Sequence, residues 1–288
     1  MICATRSGPE FAARFVFRGS NLTDLFERLQ DSRVFDLAQP YFTGMPHFPT
    51  HPPYLFSLTK KHGDLVQGGI SSAADALALG SHVGTHIDAL CHFSRDGKLH
   101  GEVDVAPIQS YGQGIGHLSI DTVQPILRRG VLLDIAGSRG AASLPRDFII
   151  TPDHLEAVRR AHGITIQSGD VVLLRTGWAQ FWNDPVRFIA GGGGGQAAGP
   201  GPELEGARWL SEQGIFAAGS DTVAFEKVPS AMPVHVHLLV ESGIHIIENL
   251  NLEELARAAA YEFLFIALPL KMQGATGSPI RPIALVAG

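Results

Sequence analysis

Two stretches that are apolar at every consecutive position, Val131-Leu-Leu133 and Val171-Val-Leu-Leu174, constrain this chain most. A strand with one wet face alternates apolar and polar residues, so an unbroken apolar run reads as a strand buried on both faces. Further β-rich runs occur at residues 34–37, 214–219, 244–248 and 263–268. Helical stretches lie between them. Thr151-Pro152-Asp153 supplies an N-cap, a first-turn proline and an acid, and Gly163 supplies a stop; similar stretches run over 203–213 and 252–260. Strands alternating with helices predict an α/β fold, a mixed sheet with flanking helices. With 288 residues, 45% of them hydrophobic, the chain is long enough for one large core. We expect an N-terminal extension and helix over residues 1–32 and a single domain over 33–288. The five glycines from Gly191 to Gly195 open a flexible Gly-rich connection over about 190–202.

Charge narrows the function classes. The 22 Lys and Arg against 28 Asp and Glu give a formal charge of -6, and no basic run offers a polyanion a footprint, so no nucleic-acid partner is expected. No window approaches the roughly 18 uninterrupted apolar residues of a membrane span, and the first residues lack the apolar centre of a secretory signal. A cytoplasmic protein with no membrane partner is expected. The two cysteines, Cys3 and Cys91, are too few for a disulfide framework or a thiolate cage, so any metal must be held by nitrogen and oxygen.

The 13 histidines point to such a metal, because they cluster. His82, His86, Asp88 and His92 fall within Ser81-His-Val-Gly-Thr-His-Ile-Asp-Ala-Leu-Cys-His92, and imidazole with carboxylate suits zinc, manganese or iron. A regular helix would turn Asp88 about 120° away from His82, whereas a regular strand would set the Cα atoms of His82 and His86 about 13 Å apart. The set converges only if an extended chain bends between the two histidines, and Gly84 is the residue that can bend there. A second group, Pro233-Val-His-Val-His237 and Ile244-His-Ile-Ile-Glu248, offers His235 and Glu248 to complete a second metal position, with Asp88 bridging. The choice between His235 and His237 as ligand stays open. His237 and His245 otherwise read as surface or supporting residues.

The string His82-Val-Gly-Thr-His86-Ile-Asp88-Ala-Leu-Cys-His92 resembles the signature of the cyclase family of metal-dependent hydrolases, which includes bacterial kynurenine formamidase and isatin hydrolase. Gly44-Met-Pro-His-Phe48-Pro, the segment from His235 to Asn249, and Gly274-Ala-Thr-Gly-Ser-Pro-Ile-Arg-Pro-Ile agree in order, so the resemblance spans roughly residues 33 to 284. It implies a swivelling β/β/α fold and hydrolysis of a C–N bond at a carbonyl. It also implies that His82, His86 and Asp88 bind one ion, that Asp88, His235 and Glu248 bind a second, and that His92 is the general acid/base. Phe48 falls where kynurenine formamidase has a substrate-contacting tryptophan, and Leu90 stands where proline is common. Isatin-type members carry glutamine where this chain has Glu248, so the carboxylate favours two ions.

The expected function is cleavage of an aryl formamide or related amide by metal-activated water, with two divalent ions, zinc or alternatively manganese. The alternatives are ring opening of a cyclic amide or lactam such as isatin, and a metal-binding protein without turnover. By resemblance a homodimer or homotetramer acting on a small-molecule amide is expected. No rival nucleophile stands out: there is no Gly-x-Ser-x-Gly elbow, and Cys91 reads as packing. Arg281 reads as a surface or structural residue, with contact to a substrate carboxylate as the alternative, and Asp221 has no firm role.

Overall fold

A computed structural model describes residues 22–189 and 196–287. Its centre is a nine-stranded sheet built from β1 (Arg33–Asp36), β2 (His86–Asp88), β3 (Ile126–Asp134), β4 (Val171–Arg175), β5 (Ala217–Ser220), β6 (His245–Glu248), β7 (Glu262–Ala267), β8 (Gly277–Pro279) and β9 (Ile283–Val286). In space they run β1-β9-β7-β3-β4-β5-β6-β2-β8. The four central strands, β3 to β6, are parallel, and antiparallel strands extend the sheet on both sides.

The unbroken apolar runs sit where the sequence requires. Leu132 and Leu173 point into one core with Ile87, Ile247 and Phe265, while Val131, Leu133, Val172 and Leu174 point into another. That second core is closed by Leu155 and Val158 of α1 (Pro152–Ala161) and by Ala207 and Leu210 of α2 (Leu204–Glu212). Each such aliphatic side chain contributes about 1.5–3 kcal/mol by burial, which is why these strands tolerate no polar alternation. Thr151 caps α1 as expected, but His154 returns the hydrogen bond to the Thr151 N–H in place of an acid or amide.

Three expectations change. The run at 214–219 pairs only from Ala217, because Gly214, at φ +68°, closes the exit of α2 instead of starting the strand. The helix expected over 252–260 is shortened to Glu253–Arg257. Ala259 takes φ +49°, and bonds from Ala260 N to Leu255 O and from Ala259 N to Ala256 O end it as a Schellman turn without glycine. Of the Gly-rich connection, residues 190–195 lie outside the described residues, while Gly201–Pro202 pairs in parallel with Ile149–Ile150 and holds that end to the body. Likewise residues 1–21 of the expected extension lie outside the described residues, and Leu22–Gln30 is helical. Among the described residues no helix is long and apolar enough to cross a membrane.

Candidate metal-binding active site

Glu248 ends parallel strand β6, and the carboxyl ends of parallel strands are where α/β sheets present functional groups. Strand β2 runs antiparallel beside it, with Glu248 opposite His86 and Ile247 opposite Ile87. This register sets His86, Asp88 and Glu248 on one face. His82 and His92 flank β2 in the turns before and after it. The bend expected at Gly84 is present: its φ is +66°, and a Cβ there would lie 2.3 Å from Tyr41 Cζ. The Tyr41 hydroxyl donates to the carbonyls of Val83 and Thr85, which holds the ring against a turn that only glycine fits. Asn249, also at positive φ, donates from Nδ2 to the Gly84 carbonyl, and Thr85 donates to the Asn249 carbonyl. The two chain segments that build the site are thereby tied at their bends.

The histidines are oriented in a common way: one ring nitrogen meets a fixed partner and the other faces the carboxylates. His86 Nδ1 donates to the Gly84 carbonyl at 2.8 Å, leaving Nε2 3.5 Å from Asp88 Oδ1 and 3.4 Å from Glu248 Oε2. His235 Nδ1 lies 3.4 Å from Glu226 Oε2, and its Nε2 lies 3.2 Å from Glu248 Oε1 and 4.0 Å from Asp88 Oδ2. His82 Nε2 meets the Thr276 hydroxyl at 2.8 Å, while Nδ1 meets Asp88 Oδ1 at 2.7 Å. Such outer partners are how proteins set the tautomer of a metal-binding imidazole. Glu226 and Thr276 are functional candidates that sequence reasoning missed. Glu226 also accepts from the Val234 N–H at 3.0 Å, at the start of the short helix Pro233–His235 that presents His235 and continues as a π-helix over Val236–Ser242.

His82, His86, Asp88, His92, His235 and Glu248 therefore meet in one place. His82, Asp88 and His92 offer ligand atoms within 4.8 Å of one another, as do Asp88, His235 and Glu248. His86 lies between the two groups. His92 stacks on His82 with ring centroids 3.8 Å apart, and so stands nearer the first group than an acid/base residue alone requires. His237 is directed elsewhere, to Glu241 and Ser211, whereas His235 faces Asp88 and Glu248. His245 is buried behind the site, its Nδ1 on the Asp88 main-chain carbonyl.

The electrostatics are compatible with a bound cation. Asp88 and Glu248 are both buried, and Asp88 Oδ2 has no hydrogen-bond partner among the described residues. A buried carboxylate oxygen left without a donor costs several kcal/mol or more. Burial opposes ionisation of Asp88, yet the imidazoles of His92, His82 and His86 hold it well below the usual carboxylate range. Glu248, despite burial, is brought down to about 2 by hydrogen bonds from His235 and His86. His235 is pushed up to about 10, its burial outweighed by Glu226 and Glu248. Bonds of 2.0–2.2 Å at tetrahedral angles place donor atoms roughly 3.3–3.6 Å apart, a spacing that the His86 contacts and His235–Glu248 approach. The donor set, the spacing and the orphaned oxygen fit divalent ions.

Beside this group opens a cavity of about 220 Å³ lined by Phe48, Phe93, Val223, Ala224 and Met232 together with His51, His92 and Glu248. Phe48 is thus at the site. His51 was not singled out from sequence; its ring packs between Phe48 and His82. Cys91 is buried and its thiol is pushed up to about 12 by burial, which suits packing and not nucleophilic chemistry. Arg281 pairs with Asp36 at the surface. Asp221 is a structural residue that accepts from the N–H groups of Thr176, Gly177 and Trp178.

Known proteins share this arrangement of chain. The sequence is 28% identical to a kynurenine formamidase of Bacillus cereus over 260 residues, 88% of this chain and 98% of that protein. It is 29% identical to an isatin hydrolase of Roseibium aggregatum over 215 residues, 73% of each chain. Among solved structures, one described as a novel cyclase superposes with a TM-score of 0.81 at 32% identity, covering 91% of this chain and 89% of the other. Isatin hydrolase A from Ralstonia solanacearum superposes at 0.72 with 27% identity, covering 98% of this chain and all (100%) of that one. The family model described as putative cyclase matches residues 35–227, and the chain belongs to the cyclase family.

Proposed function

We propose that this chain is a metal-dependent hydrolase that cleaves the C–N bond of an aryl formamide or related small amide. The observation that carries this reading is Asp88: its Oδ1 meets His82 and His86, while its buried Oδ2, 4.0 Å from His235 Nε2, has no hydrogen-bond partner among the described residues. In this proposal His82, His86 and Asp88 hold one ion, and Asp88, His235 and Glu248 hold a second, zinc or manganese. When bound, such ions supply an activated water and a Lewis acid for the substrate carbonyl.

The chain's own residues do the rest. Burial, with the neighbouring His82 and His235, pushes His92 down to about 3, so its ring is unprotonated at neutral pH. It accepts the proton of the attacking water on a ring nitrogen and returns it to the departing nitrogen, as a general base and then acid. Phe48, Phe93, Val223 and Met232 line the cavity with apolar surface, excluding bulk water and receiving a flat substrate body. Phe48 supplies an aromatic wall without an indole donor.

Ring opening of a cyclic amide is the second reading, favoured by the likeness to isatin hydrolases in sequence and in structure. Assays of the metal-loaded chain against N-formylkynurenine, isatin and simple cyclic amides separate the two. Turnover lost in His92→Ala is expected, by about 10²–10⁴-fold. No turnover on any of these with metal bound would leave a metal-binding protein. We also propose that the chain assembles as a homodimer or homotetramer. Support comes from the hairpin of Leu55–Lys60 and Ala74–Ala78, which exposes Leu55, Phe56, Leu58 and Leu77.

A further inference from the structure

Strand β3 carries two adjacent arginines with opposite fates. Arg129 is paired twice, with Asp170 at 2.9 Å and Glu262 at 2.8 Å. Arg128 lies on the other face, the one shared by Ile126 and Leu132, and among the described residues no carboxylate pairs with it. Its guanidinium stacks 4.0 Å above the Phe216 ring, and Nη1 donates to the Gly169 carbonyl at 3.2 Å. A guanidinium has five N–H donors in a planar fork, so most of this one's capacity is unused by protein.

Arg128 lines a cavity of about 460 Å³, within the size range of small-molecule sites. Leu90, Leu118, Pro125 and Phe216 form an apolar wall, and no lining residue is acidic. The cavity lies on the opposite face of the sheet from Glu248, because His245, which lines it, alternates with Ile246 and Glu248 along β6. The His245 ring lies 5.2 Å from Phe216, and its Nδ1 is used on the Asp88 carbonyl. A guanidinium with no carboxylate partner among the described residues, ring faces behind it and no acid among the described lining residues define the complement: a compact anion with a flat apolar body.

We propose that this cavity is a second ligand site, separate from the metal-binding cavity, that takes a small aromatic carboxylate, with Arg128 receiving the carboxylate and the wall around Phe216 receiving the ring. A bidentate pair with the guanidinium supplies orientation, and packing against Phe216, Leu90 and Pro125 supplies burial. The contact of His245 with the Asp88 main chain places the ligand one side chain away from the metal site.

Calorimetric titration with benzoate tests this on the full chain, with acetate as the anion that lacks a ring. The unmodified chain is expected to bind benzoate saturably and acetate at least about tenfold more weakly. Arg128→Gln and Gln124→Glu are each expected to weaken benzoate at least about tenfold. Gln124 is an exposed lining residue and its replacement is isosteric, so this variant keeps the test valid even if loss of the Arg128 stack disturbs folding. Neither residue lines the metal-binding cavity, so benzoate held there would bind both variants as it binds the unmodified chain. No saturable binding, equal binding of acetate, or benzoate affinity within twofold of the unmodified chain in the folded variants would overturn the proposal.

Discussion

Gly84 is under two independent constraints, a positive φ and the face of Tyr41, and both act at the turn from which His82 and His86 diverge. Gly84→Ala is expected to cost about 1–3 kcal/mol through strain and overpacking, read as a lower urea midpoint at unchanged slope. Glu226 acts at one remove, on His235 Nδ1, and Glu226→Gln is expected to weaken divalent-ion affinity about 10–100-fold by calorimetry while the fold persists. Protons compete with the ion for the other ring nitrogen, Nε2, which faces Glu248 and Asp88. With His235 raised to about 10 by Glu226 and Glu248 against its burial, an entering ion must displace a proton, so affinity is expected to rise between pH 6 and 9. Titration in buffers of different ionisation heat reads the released proton directly; affinity independent of pH would contradict this. The ligand candidates were legible in sequence because His82, His86, Asp88 and His92 are dense in residue type and need a bend that a glycine supplies. Glu226 and Thr276 were not, because their partners are fixed only by the fold: Thr276 reaches His82 from 194 residues away.

At the scale of elements, the site depends on how the parallel strands end. Asp221, just beyond β5, accepts hydrogen bonds from Thr176, Gly177 and Trp178 just beyond β4, and so locks two strand exits together. Asp221→Asn turns an amide N–H₂ toward donors and is expected to cost about 1–3 kcal/mol in chemical denaturation. Strands β3 and β4 and helix α1 were readable in advance because continuous apolarity and a Thr-Pro-Asp start have few structural meanings. The helix end at Ala259 was hidden, since alanine gives no local signal for a left-handed turn. Of β2 only the extended chain after Gly84 was legible: three residues are too few for any periodicity, and pairing with β6 and β8 decides its place in the sheet.

For the whole molecule, one feature looks outward and one inward. The hairpin of Leu55–Lys60 and Ala74–Ala78, with the exposed Leu65, Val66 and Ile70 of its connection, is the apolar surface on which the proposed assembly rests. Light scattering coupled to gel filtration is expected to give a dimer or tetramer, and the Leu58→Glu/Ile70→Glu variant is expected to shift it toward monomer; a monomer in the unmodified chain would contradict the assembly. The candidate metal site looks inward, and the proposed function depends on it. Calorimetric titration of the ion-stripped chain with zinc and with manganese, beside Glu248→Gln, tests it most directly. Two ions bound per chain, falling to one in the variant, are expected; a folded chain that binds neither metal would contradict the account.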